Sequence, residues 1–356
     1  MKQPFYPDRR VALIGSLPMT DHAAATRLVF EHAPDIPLWV QLPAYPAEGM
    51  LAQFLPGFPG ACERNGRLFI NTGDPAFHDG VLGFYEACLS AEQDPARRDD
   101  SVFALDTTVA AGFFEFLAQA RPVADRLIAV KGQITGPFTF ATGVTDDHGR
   151  ALFYDDQLRD VAVKLIAAKA RWQARRLASL GRPVIVFFDE PALAAFGSSA
   201  YISISRTDVA ACFEEVFAAV HAEGALAGVH VCANAEWDLI LKSSADIVSF
   251  DAYSFFDKFV LYAADIKRFI EQEKILAWGI VPTGDKTAIH AETKDSLVAR
   301  WHDQAAQVEA LGIDGKAINR LSLITPSCGT GSLDMDSALR VLQLTAGVSK
   351  ALRAEQ

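Results

Sequence analysis

The sequence has few cysteines, no long apolar run and no cluster of basic residues, and each absence excludes a class of protein. Its five cysteines are odd in number and scattered over 356 residues, unlike the pattern of a disulfide-stabilised secreted domain. No apolar run approaches the roughly 18–20 residues that a membrane span requires. The formal net charge is −11, without a basic patch to offset it. Nucleic acids and anionic membranes are therefore not expected partners.

The first sixteen residues also lack the features of a secretory signal. They contain neither a long apolar segment nor a cleavage site of small residues. Together with the scattered cysteines, which suit a reducing compartment, this predicts a cytoplasmic protein.

Short apolar, β-branched segments recur along the chain, and most are followed by a helical pattern. They cover residues 11–16, 36–42, 127–134, 184–188, 226–232, 247–250, 275–281 and 321–324. About eight strands alternating with helices predict a single α/β domain over residues 1–356, a TIM-type (β/α)₈ barrel. Residues 43–126 would form an insertion or lid between strands 2 and 3. A doubly wound open sheet is the alternative, although no G-x-G-x-x-G follows the first strand.

In a barrel of this type the active site lies at the C-terminal ends of the strands, so polar residues there are the candidates. These positions bring together two of the five cysteines, a histidine and several carboxylates. The other seven histidines fall in helical patterns or polar loops and are expected on the surface. The strand-end candidates are Ser16, Gln41, Thr135, Asp189, Glu190, His230, Cys232, Asp251, Thr283 and Cys328.

A histidine and a cysteine end the fifth predicted strand. His230 and Cys232 are two residues apart, so their side chains point to the same side of a strand. An isolated pair of this kind is more often a core histidine and a buried cysteine. With Cys328, however, the set has two thiolates and one imidazole, typical of a catalytic zinc site with one open position. Asp251 is a candidate displaceable fourth ligand.

Such a thiolate-rich site is better suited to holding a substrate thiol than to polarising water. Zinc would lower the pKa of that thiol from about 8.5, so that a thiolate could attack an electrophilic carbon at neutral pH. The simplest such electrophile is a methyl group, which makes methyl transfer to a thiol the expected chemistry.

Five segments, each at the end of a predicted strand, occur in the order known from one family. The chain resembles the catalytic barrel of cobalamin-independent methionine synthase, in the superfamily that also holds uroporphyrinogen decarboxylase and the methylcobamide:thiol methyltransferases. The resemblance covers nearly the whole chain. The matching segments are Ile14-Gly15-Ser16 with Pro18, Lys131–Pro137, Asp189–Leu193, His230-Val231-Cys232 and Ser327-Cys328-Gly329.

The resemblance implies a role for several of these residues. A substrate amino acid would be bound by Ile14, Gly15 and Ser16, and its amino group would contact Asp189. The zinc ligands would be His230, Cys232, Cys328 and, where the family has a glutamate, Asp251; Asp189 and Asp251 would be the catalytic carboxylates. The family's His-Ser-Pro segment after the seventh strand is replaced by Gly279–Thr283, so a histidine acid is not expected there.

The resemblance also implies the methyl donor. The full-length synthase has a second, N-terminal barrel that takes part in binding methylfolate, and this chain has no room for one. Single-barrel relatives tend to use a methylated corrinoid. The expected reaction is therefore zinc-dependent transfer of a methyl group from methylcobalamin, free or on a corrinoid protein, to a thiol such as homocysteine, giving methionine. Methylfolate is the alternative donor.

Two other functions stay open at this stage. The acceptor could be another thiol, such as coenzyme M, or the barrel could be a non-catalytic, zinc-stabilised partner of a corrinoid protein. Porphyrinogen decarboxylation is not expected, because Leu42 stands where the decarboxylase has an arginine for the tetrapyrrole carboxylates.

Overall fold

A computed structural model describes residues 5–93 and 101–355, and a curled parallel sheet forms its centre. The described residues contain ten strands. They are Arg10–Val11 (β1), Ala61–Arg64 (β2), Arg67–Ile70 (β3), Val130–Thr135 (β4), Thr145–Asp146 (β5), Val184–Asp189 (β6), Leu226–Val231 (β7), Ile247–Phe250 (β8), Ile275–Val281 (β9) and Ser322–Pro326 (β10).

Seven of these strands form the central sheet, in the order β1-β10-β9-β8-β7-β6-β4, and every neighbouring pair is parallel. Every residue of β4, β6, β8, β9 and β10 is buried. Helices cover the outer face of a parallel sheet of this kind, which explains why these strands read as continuous apolar runs. The predicted mixed α/β class is confirmed, with a parallel sheet that curls as half of a barrel.

The two edges of this sheet are linked through the second predicted strand. Leu38 forms a parallel bridge with Lys131 of β4, and Gln41 forms one with Ser16, beyond β1. No regular strand forms over these residues. Pro37 has no N–H to donate, and the N–H of Leu42 goes to the Glu48 carboxylate at 2.7 Å. Because only isolated bridges represent the eighth strand, a complete eight-stranded barrel stays a prediction.

Thirteen α-helices lie in the described ranges, most of them after strands of the central sheet. Aspartate, serine and threonine side chains cap many of their N-termini, as expected for these residue types. The helices are His22–His32 (α1), Phe77–Gln93 (α2), Ala111–Ala120 (α3), Pro137–Gly143 (α4), Asp156–Ala178 (α5), Arg206–His221 (α6), Trp237–Leu241 (α7), Ala252–Phe259 (α8), Ala263–Glu271 (α9), Lys286–Ala291 (α10), Lys294–Glu309 (α11), Gly315–Arg320 (α12) and Met335–Arg353 (α13). Among the described residues, none of the helices combines the length and apolarity that crossing a bilayer requires.

The expected insertion, residues 43–126, contains β2, β3, α2 and α3. Strands β2 and β3 pair antiparallel, and β3 pairs in parallel with β5, so a small second sheet joins this region to the segment after α4. Helix α3 packs against α1. The role of this region as a lid stays a prediction.

Candidate metal centre

The curl of the central sheet brings His230, Cys232 and Cys328 together. Their ligand atoms all lie within 4.8 Å of one another, although β8 and β9 separate β7 from β10. In a flat sheet, strands three positions apart would lie about 14 Å from each other. The close approach of an imidazole and two thiols is therefore a product of the curvature, and it unites residues that are distant in the sequence.

One hydrogen bond orients the His230 ring. Nδ1 lies 3.0 Å from the Ser249 hydroxyl, on the neighbouring strand β8, and the residue is only 3% exposed. Its Nε2 atom is buried and has no hydrogen-bond partner among the described residues. When Nδ1 donates to Ser249, Nε2 carries a lone pair directed into the group, which is the usual arrangement of a metal-binding histidine.

The pKa values of the two thiols of the group are shifted in opposite directions. Contacts with Cys328 and then with His230 lower the pKa of Cys232 to about 4. The same contact, together with burial, raises the pKa of Cys328. These opposite shifts favour one thiolate and one thiol over two neighbouring thiolates. Both sulfurs become thiolates together only when a positive ion lies between them, which is the requirement that a bound metal satisfies.

A cavity of about 330 Å³ opens onto this group. This is at the small end of the range for ligand pockets, so the cavity fits a small metabolite. Most of the site residues predicted from the sequence lie in the wall of this cavity. The lining residues are Ile14, Gly15, Ser16, Gln41, Pro43, Glu48, Gly49, Met50, Thr135, Asp189, Pro191, His230, Cys232, Cys328, Gly329, Gly331 and Ser332.

Asp189 ends strand β6 and lies beside His230 in the strand register. The residue is 9% exposed, and its Oδ1 atom has no hydrogen-bond partner among the described residues. Burial raises the pKa of Asp189 to about 6, and the electrostatic effects of His230 and Lys131 oppose this increase. This carboxylate at the cavity wall thus has an unused acceptor atom, suited to a donor group on a ligand.

The turn at Ser16 meets the segment after β10. The Ser16 hydroxyl accepts the Gly331 N–H at 3.1 Å, and the Ser16 carbonyl accepts hydrogen bonds from Thr330. A Cβ atom on Gly329 would lie 2.2 Å from the Ser16 hydroxyl oxygen, so a larger residue there would displace this hydroxyl and its hydrogen bond to Gly331. The turn therefore fixes the chain immediately after Cys328.

Three of the strand-end candidates serve the framework and are not among the lining residues. Glu190 is completely buried and accepts the N–H groups of Phe138 and Thr139 at the start of α4, at 2.9 and 2.8 Å. Thr283 donates its N–H to the Ser327 hydroxyl at 3.1 Å, which joins the ends of β9 and β10. Glu190 and Thr283 therefore position the strand ends that carry the cavity wall.

Asp251 is the third strand-end candidate that is not among the lining residues. One of its oxygens accepts the Ser254 N–H at 2.8 Å and caps helix α8. Burial raises the pKa of this carboxyl, and the Cys232 charge acts in the same direction. Asp251 is outside the group of three whose ligand atoms lie within 4.8 Å of one another. Its roles as a fourth zinc ligand and as a catalytic group stay predictions.

Residues 43–50 form part of the cavity wall, although none of them was a predicted site residue. Glu48 is 5% exposed, and its Oε1 atom lies 2.6 Å from Nε2 of His22. Placing His22 on the surface was wrong, because its side chain is only 17% exposed, and His32 is buried as well. Glu48 comes six residues after the second predicted strand and ends a single 3₁₀ turn, Pro46–Glu48, which is too short for a periodic pattern to mark it.

No model of a known protein family matches the chain, and no curated protein matches it. Among solved structures, the chain is similar to a Listeria monocytogenes protein provisionally named a vitamin-B12-independent methionine synthase. That similarity has a TM-score of 0.55 at 12% sequence identity and covers 98% of each chain. A Cellulomonas fimi endo-β-1,4-mannanase double mutant has a TM-score of 0.36 at 16% identity, over 70% of this chain and 60% of that one, which is too weak to bear on the fold. The first similarity extends over the whole chain and supports the mixed α/β fold with its curled parallel sheet.

Proposed function

We propose that this protein is a zinc-dependent methyltransferase that moves a methyl group from a methylated corrinoid, or from a methylfolate, to a thiol such as homocysteine, giving methionine. The observation that carries the proposal is the convergence of His230, Cys232 and Cys328 at one end of a ligand-sized cavity. The fold similarity to a protein named as a methionine synthase agrees with this chemistry.

The three residues fit zinc by their donor chemistry. Two sulfurs and one imidazole nitrogen are preferred zinc ligands, and three protein ligands leave a position for a substrate. The buried Nε2 atom of His230, which lacks a hydrogen-bond partner in the described structure, supports the assignment. When bound, zinc would supply the positive charge that keeps an acceptor thiol deprotonated at neutral pH.

In the proposed reaction, the bond between the methyl carbon and its carrier breaks and a carbon–sulfur bond forms. The methyl group moves without the bonding electron pair, which stays on the carrier, and the thiol proton goes to solvent. The residues of the cavity wall would hold the acceptor in line with the donor. Asp189 would receive the amino group through its free oxygen, and the Ile14–Ser16 turn would hold the rest of the amino-acid end.

The charges of the cavity wall favour an acceptor that carries an amino group. The described lining residues include the carboxylates Asp189 and Glu48 but neither lysine nor arginine. A cationic amino group would pair with Asp189, whereas the sulfonate of coenzyme M would meet negative charge without a cation to bind it. We therefore favour homocysteine over coenzyme M as the acceptor.

The cavity volume also bears on the donor. A space of about 330 Å³ holds a small thiol but not a corrinoid, which is far larger. The donor would therefore present its methyl group at the cavity mouth, either as free methylcobalamin or on a corrinoid protein. Methyl transfer from isotopically labelled methylcobalamin and from labelled methylfolate, compared under the same conditions, would identify the carrier.

The proposal is tested by zinc content and by thiol-dependent demethylation of methylcobalamin. The purified protein should contain about one zinc, which should be lost in Cys232→Ser. The absorbance of methylcobalamin should change when homocysteine is added and stay constant without a thiol. Zinc binding with no demethylation across several thiols would favour the non-catalytic partner of a corrinoid protein. A metal-free protein would overturn the proposal.

A further inference from the structure

A completely buried lysine lies below the cavity. Lys131 of β4 is 0% exposed, and its Nζ atom donates a hydrogen bond to the Ile14 carbonyl at 2.7 Å. The same nitrogen lies 3.4 Å from the Gln133 side-chain oxygen and 4.4 Å from the centre of the Phe187 ring. Lysines are almost never buried in this way without a charged partner, so the burial of Lys131 calls for an explanation.

The position of Lys131 in the sheet identifies Asp189 as its charged partner. Lys131 is paired with Ile185, so Phe187 and Asp189 follow two and four residues further along the adjacent strand β6. Residues two apart on a strand share a face, which places Phe187 and Asp189 in successive layers on one side. Burial lowers the pKa of Lys131 to about 7, and the negative charge of Asp189 opposes this effect.

We propose that Lys131 is a positioning residue for the amino-acid end of the acceptor. Its ammonium group holds the Ile14 carbonyl, and thereby the Ile14–Ser16 turn, while its charge balances the Asp189 carboxylate from below. The Ile14–Ser16 turn and Asp189, which would bind the amino acid, thus both depend on the Nζ atom of Lys131. This inference rests on the proposed function, because it requires an amino-acid thiol in the cavity.

A neutral replacement should therefore impair recognition of the amino group rather than of the thiol. In Lys131→Met, the Ile14 carbonyl loses its donor and Asp189 loses its balancing charge. The three candidate metal ligands are on other strands, so zinc content should stay at the wild-type level.

The experiment compares homocysteine with 4-mercaptobutyrate, which is homocysteine without its amino group. Binding is followed by the absorbance of the cobalt-substituted protein, which does not depend on turnover. We expect Lys131→Met to weaken homocysteine binding about tenfold or more, and 4-mercaptobutyrate binding less than about twofold. The matched control is Lys169→Met, since Lys169 is another buried lysine, 1% exposed, whose opposing charge comes from Asp106. Lys169→Met should keep the wild-type preference for homocysteine over 4-mercaptobutyrate.

A double-mutant cycle gives a second measurement. Once Asp189→Asn has removed the carboxylate, adding Lys131→Met should cause little further change in the preference between the two thiols. Should Lys131→Met fail to fold, Lys131→Arg carries the test, because it keeps the charge and should keep the preference for homocysteine.

Several outcomes would overturn the inference. They are an equal loss for both thiols, independent effects in the double-mutant cycle, loss of the preference in Lys169→Met, and loss of the preference in a fully metal-loaded Lys131→Arg. Failure of the proposed function would look different, because the wild-type protein would then fail to bind homocysteine or fail to demethylate methylcobalamin when a thiol is added, with or without bound metal.

Discussion

The cavity wall has two halves that are built in different ways. The metal half, defined by His230, Cys232 and Cys328, lies at the ends of the regular strands β7 and β10, and the strand register fixes the position of His230. The loop half, residues 41–50, has no regular strand and is held by side-chain hydrogen bonds, such as the bond from the Leu42 N–H to Glu48. The difference indicates that the candidate metal ligands depend on the sheet, whereas the loop side of the cavity can change shape without moving them.

The largest effect should come from the metal half. Cys232→Ser removes one of three candidate ligands, and we expect loss of bound zinc and a decrease in thiol methylation of about 10³-fold or more. Elemental analysis and the methylcobalamin assay measure the two effects. Cys62→Ser is the matched control, because Cys62 is a partly exposed cysteine on strand β2, outside the cavity wall. Full zinc content in Cys232→Ser would show that Cys232 is not a ligand of the metal.

A smaller effect is expected from the residue that orients the histidine. Ser249→Ala removes the hydrogen bond to His230 Nδ1, and outer partners of this kind are worth roughly 10–100-fold in metal affinity. Competition with a chelator measures the zinc dissociation constant. An affinity equal to that of the wild type would mean that the ring is held by packing alone.

In the loop half, Glu48→Ala should leave the metal in place. The change leaves the buried Leu42 N–H without its acceptor, and we expect a loss of about 1–3 kcal/mol in the free energy of unfolding. Urea unfolding gives this energy, and elemental analysis should still find wild-type zinc. Glu48→Gln keeps an acceptor for the Leu42 N–H and should lower the free energy of unfolding by less. Zinc loss in Glu48→Ala would show that the two halves are not independent.

Metal removal should give the smallest and most local effect. A chelator should increase hydrogen exchange at residues 228–232 and 326–331 by about severalfold, because the ligand atoms lose their common partner. Residues 38–48 should keep their exchange rates, since their hydrogen bonds do not involve the ligands. A uniform increase over the whole chain would instead indicate global destabilisation by metal loss.

The metal half was predictable from the sequence because local rules place its residues. The two-residue spacing of His230 and Cys232 and the position of Cys328 after an apolar run are sufficient once the parallel sheet is expected to curl as in a barrel. Sequence patterns could not predict Glu48, because its place in the wall depends on the path of an irregular loop. They also overstated the second strand, where Pro37 and the bond from Leu42 to Glu48 interrupt the strand pairing. The capping role of Asp251 became visible only with helix α8.

The contact of Ser16 with Thr330 has a consequence for biosynthesis. It joins residues 314 positions apart, next to the last of the candidate ligands. During translation, a ribosome-bound chain that has already exposed Cys232 would still lack both Cys328 and the glycine turn that holds it. The complete donor set can therefore form only after residues 328–331 have left the ribosome. We expect metal loading to follow the appearance of this segment, so that a chain terminated before residue 328 does not acquire the ion.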